Sequence, residues 1–339
     1  MTALPPLSTA YVLSFQFSSW YPRFSSKTIK STVIKRLPPD FVEYLDSDGV
    51  TVPEGSENLS VDIFLANENA TIVEDDPDDE AAKPEKRYSF PDLDEEIRKC
   101  IAEYGAVFPK LNFSSPKDAS WILPAGSPLK CTSPSDIYLL LKCSDFTNHD
   151  LSKNHVFEGC EAHPESYNLE LVLRKWYSID RSRECRCFVR KNSLIGISQR
   201  DMNYHGFWND STMQEKITSV ITEFWQTEVQ PKWNFSEDYV FDFLLTRDLS
   251  RGHIIDFSPY TLRTDSLLFS YEELWDLYSC GGHPVLRVID SRAHPAANLN
   301  TPMHQHNMIP FEAFSMSSGK DIDEFSQLWQ EELNKSMQD

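Results

Sequence analysis

The chain has 339 residues, of which 52 are Asp or Glu and 32 are Lys or Arg, giving a formal net charge of −20. That acid excess excludes general binding to nucleic acid, whose phosphate backbone calls for a basic surface, and disfavours anionic membranes. Hydrophobic residues make up 40% and include 21 Phe, ample for two domains or for one large domain with an appendage.

No apolar run approaches the ~20 residues of a membrane span. The N-terminus, MTALPPLSTAYVLSFQF, has no basic start and no continuous apolar stretch, so it does not read as a signal peptide. Seven scattered cysteines fit reduced thiols in the cytosol or nucleus, and a cytoplasmic protein is expected. Cys185 and Cys187 would share one face of a strand as buried residues. His304 and His306 lack a metal-type partner set.

Residues 11–37 are β-prone and aromatic, with Trp20, Tyr21 and Pro22 at an expected turn. Lys27, Lys30, Lys35 and Arg36 make this the basic patch of an acidic protein. Pro38-Pro39-Asp40 starts a short helix, FVEYL, that Asp48-Gly49 closes. The acidic run 74–80 sits in a segment, 74–87, that reads as a mobile loop. Residues 92–104 form an amphipathic helix ended by Gly105.

A strand over 106–111 then delivers Lys110 into the small-residue loop 112–119, which carries Ser115 and Lys117. Such a loop can cradle phosphate, though it has no glycine and a plain turn is the simpler alternative. Ser133 opens a helix whose apolar run leads to Lys142, which either snorkels to solvent or points at a ligand. Residues 145–166 are polar and loop-like. Strands follow at 170–177, 184–190 and 194–200. Arg186 lies mid-strand among apolar neighbours and needs a carboxylate or a phosphate beside it. The clearest helix covers 211–229, with Ser211 as its cap and Met213, Ile217, Val220, Ile221 and Phe224 on the core face. Further helices are expected from Ser270 and over 321–335.

Residues 239–245 and 253–258 read as two strands around the polar stretch 247–252. A hairpin centred on Leu249 puts Asp242 opposite Asp256, with Val240, Leu244, Ile254 and Ser258 on the same face. Opposed carboxylates repel unless a cation joins them, and Mg²⁺ or Mn²⁺ suits oxygen ligands. Solvent-facing aspartates, or a register off by one, are the alternatives.

Lysines, a small-residue loop, an arginine-bearing antiparallel sheet and a late acidic hairpin occur in the order of an ATP-grasp fold, over about 106–260. The segments FQFSSWYP, FPKLNFSSPKDASW, DIYLLLKCSDF, ELVLRKW, RCFVR, LIGISQRD, VFDF, IIDFSP and TDSLLF together resemble the cell division cycle protein 123 (D123) family. The resemblance implies an α+β, ATP-grasp architecture in which two α+β subdomains with antiparallel sheets clasp a nucleotide. It divides the chain into an N-terminal region (1–105), a core (106–290) and a C-terminal extension (291–339). It implies ATP and Mg²⁺ as ligands. Lys110 and Lys142 would face the phosphates, beside Ser115 and Lys117 of the covering loop and Arg186. The adenine hinge would be Arg174, Lys175, Trp176 and Tyr177. Asp242, Asp256 and Ser258 would hold the metal, Ser258 standing where the family commonly has Asn. The implied function is assembly of eukaryotic translation initiation factor 2 through its γ subunit, with the partner surface near Trp20 and the C-terminal region. A carboxylate–amine ligase, its acceptor pocket lined by Glu184, Arg186 and Arg200, is the alternative.

Overall fold

The structure is a computed structural model that describes residues 4–57, 86–124 and 126–298. The acidic run and the expected helix at 321–335 lie outside these residues. No helix among the described residues is long and apolar enough to cross a membrane.

Two helices, α1 (Thr9–Ser14) and α2 (Phe17–Phe24), open the chain where strands were expected. Aromatic side chains favour strands only as far as their surroundings allow. Here Phe17, Trp20, Tyr21 and Phe24 recur at helical spacing, and that period prevails. Trp20 is fully buried, edge-on to Phe17 and Phe257, so it is core and not partner surface. Only β1 (Ser31–Ile34) is extended. Three of the four basic residues nearby are paired: Lys27 with Glu228, Lys30 with Glu103 and Lys35 with Glu170.

Helix α3 (Phe41–Asp46) follows, then α4 (Pro91–Tyr104), which starts on a proline and ends at Gly105 in the left-handed region (φ 82°). Strand β2 (Val107–Lys110) leads through the 112–119 loop to α5 (Pro134–Lys142), fixed by a capping box between Ser133 and Asp136. The stretch expected to be loop-like contains α6 (Asp145–Leu151) and α7 (Lys153–Val156). The Ser144 hydroxyl caps α6 by accepting from the Thr147 amide, which starts a helix without an apolar stripe. Strand β3 (Leu171–Lys175) then lies between β1 and β2, antiparallel to both. This first sheet draws strands from both sides of residue 105. Helices α3, α4 and α5 share its core through Phe41, Ile97, Tyr138 and Leu173.

The second sheet has five strands. Its first two, β4 (Glu184–Arg190) and β5 (Ser193–Gln199), form a hairpin turned by Lys191 and Asn192, both at positive φ (48° and 57°). Helix α8 (Ser211–Phe224) is capped by Asp210 and not by Ser211, and continues as a wider turn to Val229. Its buried face is Ile217 and Ile221, with Met213 exposed. Strands β6 (Tyr239–Leu245) and β7 (Gly252–Ser258) make the second hairpin. Helix α9 (Tyr271–Cys280), strand β8 (Val285–Arg287) and helix α10 (Pro295–Asn298) complete the described chain. The strand order is β7-β6-β4-β5-β8, with β8 parallel to β5 and the rest antiparallel.

One face of this sheet packs on α1, α2 and α8. On the other, Phe188, Ile195 and Val240 meet Tyr260, Tyr271 and Leu274. That second cover spans one end only. Alternation along β4 and β6 leaves Glu184, Arg186 and Asp242 on the same face, beyond the cover.

Candidate anion site between the sheets

Asp242 and Asp256 are register partners across β6 and β7. The register then slips, so that Phe243 pairs with Ile254 and Ile255 is the extra residue. The bulge corrects one expectation: Ile254 turns to the apolar core with Phe241 and Phe243, and does not join the aspartates.

Each carboxylate is matched by a cation. Arg186 grips Asp242 with both arms, Nε to Oδ1 at 2.8 Å and Nη2 to Oδ2 at 2.9 Å. Its remaining nitrogen, Nη1, donates to the Asp265 carbonyl. Arg200 approaches Asp242 Oδ2 with Nε at 3.3 Å and binds Glu184 through Nη1 at 3.0 Å. Burial by itself would raise the Asp242 carboxyl, but Arg186 and Arg200 hold it well below the usual carboxylate range. Burial works against the Arg200 cation as well, yet Asp242 and Glu184 keep it above its ordinary value.

The first sheet reaches across the seam to Asp256. Lys110 at the end of β2 is 1% exposed and donates from Nζ to Asp256 Oδ2 at 2.7 Å and to the Phe113 carbonyl. Lys117 is half-buried in the field of the same groups. Arg200 and burial push its amine down to about 8, against the pull of Glu184, Asp242 and Asp256. Among the described residues Lys117 Nζ makes no ion pair. Arg174 of β3 lies behind β7, fully buried, and donates to the Ile255 carbonyl and the Thr28 hydroxyl. Five cations thus converge on three carboxylates in a protein of net charge −20. The Nε atoms of Arg174 and Arg200 are buried without a hydrogen-bond partner. An excess of cations and free donors at one seam is the chemistry of a polyanion site.

The 112–119 loop is pinned. Asp150 of α6 is fully buried and accepts from the amides of Phe113 and Ser114 and from the Ser114 hydroxyl. Asp118 accepts from the Ser144 hydroxyl at 2.6 Å. The Phe113 and Ser114 amides are therefore spent on Asp150, and the Lys110 and Lys117 side chains carry the loop's charge. Ser115 is half-buried and its carbonyl accepts from the Lys117 amide.

Other expected residues lie elsewhere. Lys142 caps the C-terminus of α3, donating to the Tyr44 and Ser47 carbonyls, both at 2.7 Å, and to the Ser47 hydroxyl. It therefore does not share the cluster of Lys110 and Asp256, because α5 delivers it to the carbonyl end of another helix. Lys175, Trp176 and Tyr177 leave the first sheet towards β4. Their backbone is partly engaged, the Lys175 and Trp176 amides donating to the Lys30 and Ala106 carbonyls. Trp176 Nε1 donates to the Pro128 carbonyl, the Lys175 amine lies over the Tyr177 ring, and Tyr177 is half-exposed.

Ser258 ends β7 two residues beyond Asp256, on the same face. Two carboxylates and one hydroxyl are hard oxygen donors, and no cluster of three His, Cys, Asp or Glu forms a metal site among the described residues. That set fits Mg²⁺, which takes one or two carboxylates and completes its shell with phosphate oxygens and water.

The sequence alone places Arg200 in an acceptor pocket and carries no local signal for the roles of Asp150 and Asp118. The turn at Lys191 and Asn192 pairs Arg190 with Ser193, and an irregularity between Phe188 and Val189 shifts the register by one, so that Cys185 faces Gln199 and the Arg200 amide donates to the Glu184 carbonyl.

The D123 family matches residues 20–317 of this chain. The chain belongs to the D123 family. Among its curated relatives is the translation initiation factor eIF2 assembly protein of Schizosaccharomyces pombe, 37% identical over 97% of this chain and 98% of the relative. The protein of the same description from Xenopus tropicalis is 42% identical over 78% of this chain and 79% of its own. The solved structure of Cdc123 from S. pombe superposes with a TM-score of 0.67 at 35% identity, covering 85% of this chain and all of that one. The α+β fold with its antiparallel sheets is thus the fold of that D123 structure.

Proposed function

We propose that this chain is an ATP-binding assembly factor for translation initiation factor eIF2, acting on its γ subunit. Relatives that span nearly the whole chain carry the description of eIF2 assembly proteins, which supports the assembly role. The single observation behind the nucleotide is the convergence of Lys110, Lys117, Arg186 and Arg200 on the Asp242–Asp256 pair between two sheets. In the ATP-grasp reading, the cations hold the triphosphate and the two carboxylates, with Ser258, hold Mg²⁺. The metal would neutralise charge on the phosphate oxygens. Arg186 and Lys110 now neutralise the carboxylates, so a bound metal–nucleotide pair would exchange one set of partners for another. Nucleotide would then bias the relation of the two sheets, and with it the surface offered to the γ subunit. Trp20 is no part of that surface.

Capture of purified γ subunit at micromolar concentration tests the partner. Calorimetric titration with Mg-ATP tests the ligand, with binding expected for the native chain and lost in Asp242→Ala and Asp256→Ala. Failure to capture the γ subunit would sink the assembly reading, and full ATP affinity in both variants would sink the site.

A further inference from the structure

We propose that Arg174 is a positioning residue for Asp256 and acts through the bulge at Ile255. The inference rests on the reading of Asp256 as a nucleotide-site residue.

Strand alternation alone could not place β7 as it stands. Ile254 and Phe257 both belong to the apolar core, although three residues apart they would fall on opposite faces of a regular strand. Asp256 must at the same time face Asp242. The extra residue, Ile255, reconciles these demands by changing the phase of the strand between Ile254 and Asp256. Without it, either Ile254 would enter the polar seam or Asp256 would enter the core. A bulge leaves its extra residue outside the ladder, so something else has to hold that peptide in place.

Arg174 does so from the other sheet. Its Nη1 donates to the Ile255 carbonyl at 2.9 Å, and its Nη2 donates to the Thr28 hydroxyl at 3.1 Å. The Thr28 hydroxyl in turn donates to the Ile254 carbonyl at 2.7 Å, and the Ile254 amide donates to the Lys27 carbonyl. Every contact comes from the first sheet or from the segment that enters β1. Arg174 is 2% exposed and has no carboxylate ion pair, and its guanidinium lies between the rings of Phe17 and Phe108 at 5.2 and 5.4 Å. Burial without a direct ion pair is costly to a cation, and the field of Asp256 offsets part of that cost. The planar fork explains its use, since a lysine has no second arm to span Ile255 and Thr28. Residues 254–256 are consequently the joint between the sheets, and Asp256 takes its position only while the first sheet is docked.

Arg174→Met removes the fork and keeps the bulk. Hydrogen–deuterium exchange on the nucleotide-free protein should show amides of residues 254–257 exchanging about tenfold faster or more, while β4 peptides are unchanged, in keeping with loss of a charge-assisted bond. In ATP titrations with Mg²⁺ and with chelator, the gain in affinity from Mg²⁺ should fall about tenfold, with metal-free binding affected less. A role in general stability would raise exchange across the sheet and leave the Mg²⁺ gain intact, and that pattern overturns the proposal, as does native behaviour in both measurements. If Arg174→Met does not fold, Thr28→Val decides: locally faster exchange at 254–257 supports the joint, and native exchange refutes it. Absence of ATP binding in the native chain would refute the nucleotide reading alone, because the exchange result still reports on Arg174.

Discussion

Asp242 holds the second sheet's polar face together, and its removal gives a quantitative test. In Asp242→Ala the bidentate grip of Arg186 at 2.8 and 2.9 Å is lost, together with the 3.3 Å contact of Arg200. Two guanidinium groups are then left buried beside each other, with Glu184 paired to Arg200 and Asp256 acting only through its field. Removing one partner of a buried pair costs about 3–5 kcal/mol, which corresponds to a fall in melting temperature on the order of 5–15 °C. The double variant Asp242→Leu with Arg186→Met should recover most of that loss, because two apolar groups replace a buried pair at little net cost. Urea unfolding of both variants measures the coupling directly. Acid should act in the same direction as Asp242→Ala. The folded carboxyl lies below its ordinary value, so its contribution is complete above the unfolded pKa of about 3.9 and is lost as the pH falls below that. A loss under about 1 kcal/mol in Asp242→Ala, the range of an exposed pair, would refute the account of Asp242 as the keystone of the cation cluster.

Lys142→Met removes three hydrogen bonds at the end of α3 and should cost about 1–2 kcal/mol in urea unfolding. Its ATP affinity should be native, and a tenfold loss there would return Lys142 to the site. Trp20→Ala empties a fully buried position and should destabilise by about 3–5 kcal/mol, so γ-subunit capture lost in this variant should return under conditions that restore its circular dichroism. Triphosphate affinity should fall as the pH rises through about 8, where Lys117 loses its proton, and Lys117→Met should flatten that profile in a calorimetric pH series. Gly252→Ala would place a Cβ 2.3 Å from the Phe243 ring and 2.6 Å from the Leu244 carbonyl, so a loss of about 2 kcal/mol or more is expected on thermal unfolding.

The legible parts of this chain are those set by local rules. Ser133 with Asp136, Ser270 with Glu273 and Gly105 announce helix ends that the structure reproduces. A turn centred on Leu249 does put Asp242 opposite Asp256, but the structure reaches that pairing another way: beside the turn Leu245 pairs with Gly252 and Phe243 with Ile254, and the extra residue Ile255 then brings Asp242 to Asp256. What escaped the sequence depends on distant partners. The N-terminal aromatics became helices because Trp20 and Phe17 found Phe257 and the second sheet to cover them. Lys142 and Lys110 both end apolar runs, and nothing local says that one meets helix carbonyls while the other meets Asp256. The bulge at Ile255 was invisible for the same reason, since its support comes from Arg174, 81 residues away.

That dependence bears on how the candidate site is built. Each half supplies charges that make little sense within its own sheet: Lys110 and Arg174 are buried cations of the first, and Asp256 is a carboxylate at the edge of the second. A buried charge whose partner lies in another unit favours docking of the two, because separation would leave both uncompensated. A polyanion entering the seam changes that balance, as it offers the first sheet's cations a new partner and frees Asp256 for a metal. The same residues would therefore bind the ligand and set how firmly the halves are joined, which is the coupling an assembly factor needs between its nucleotide and its partner surface.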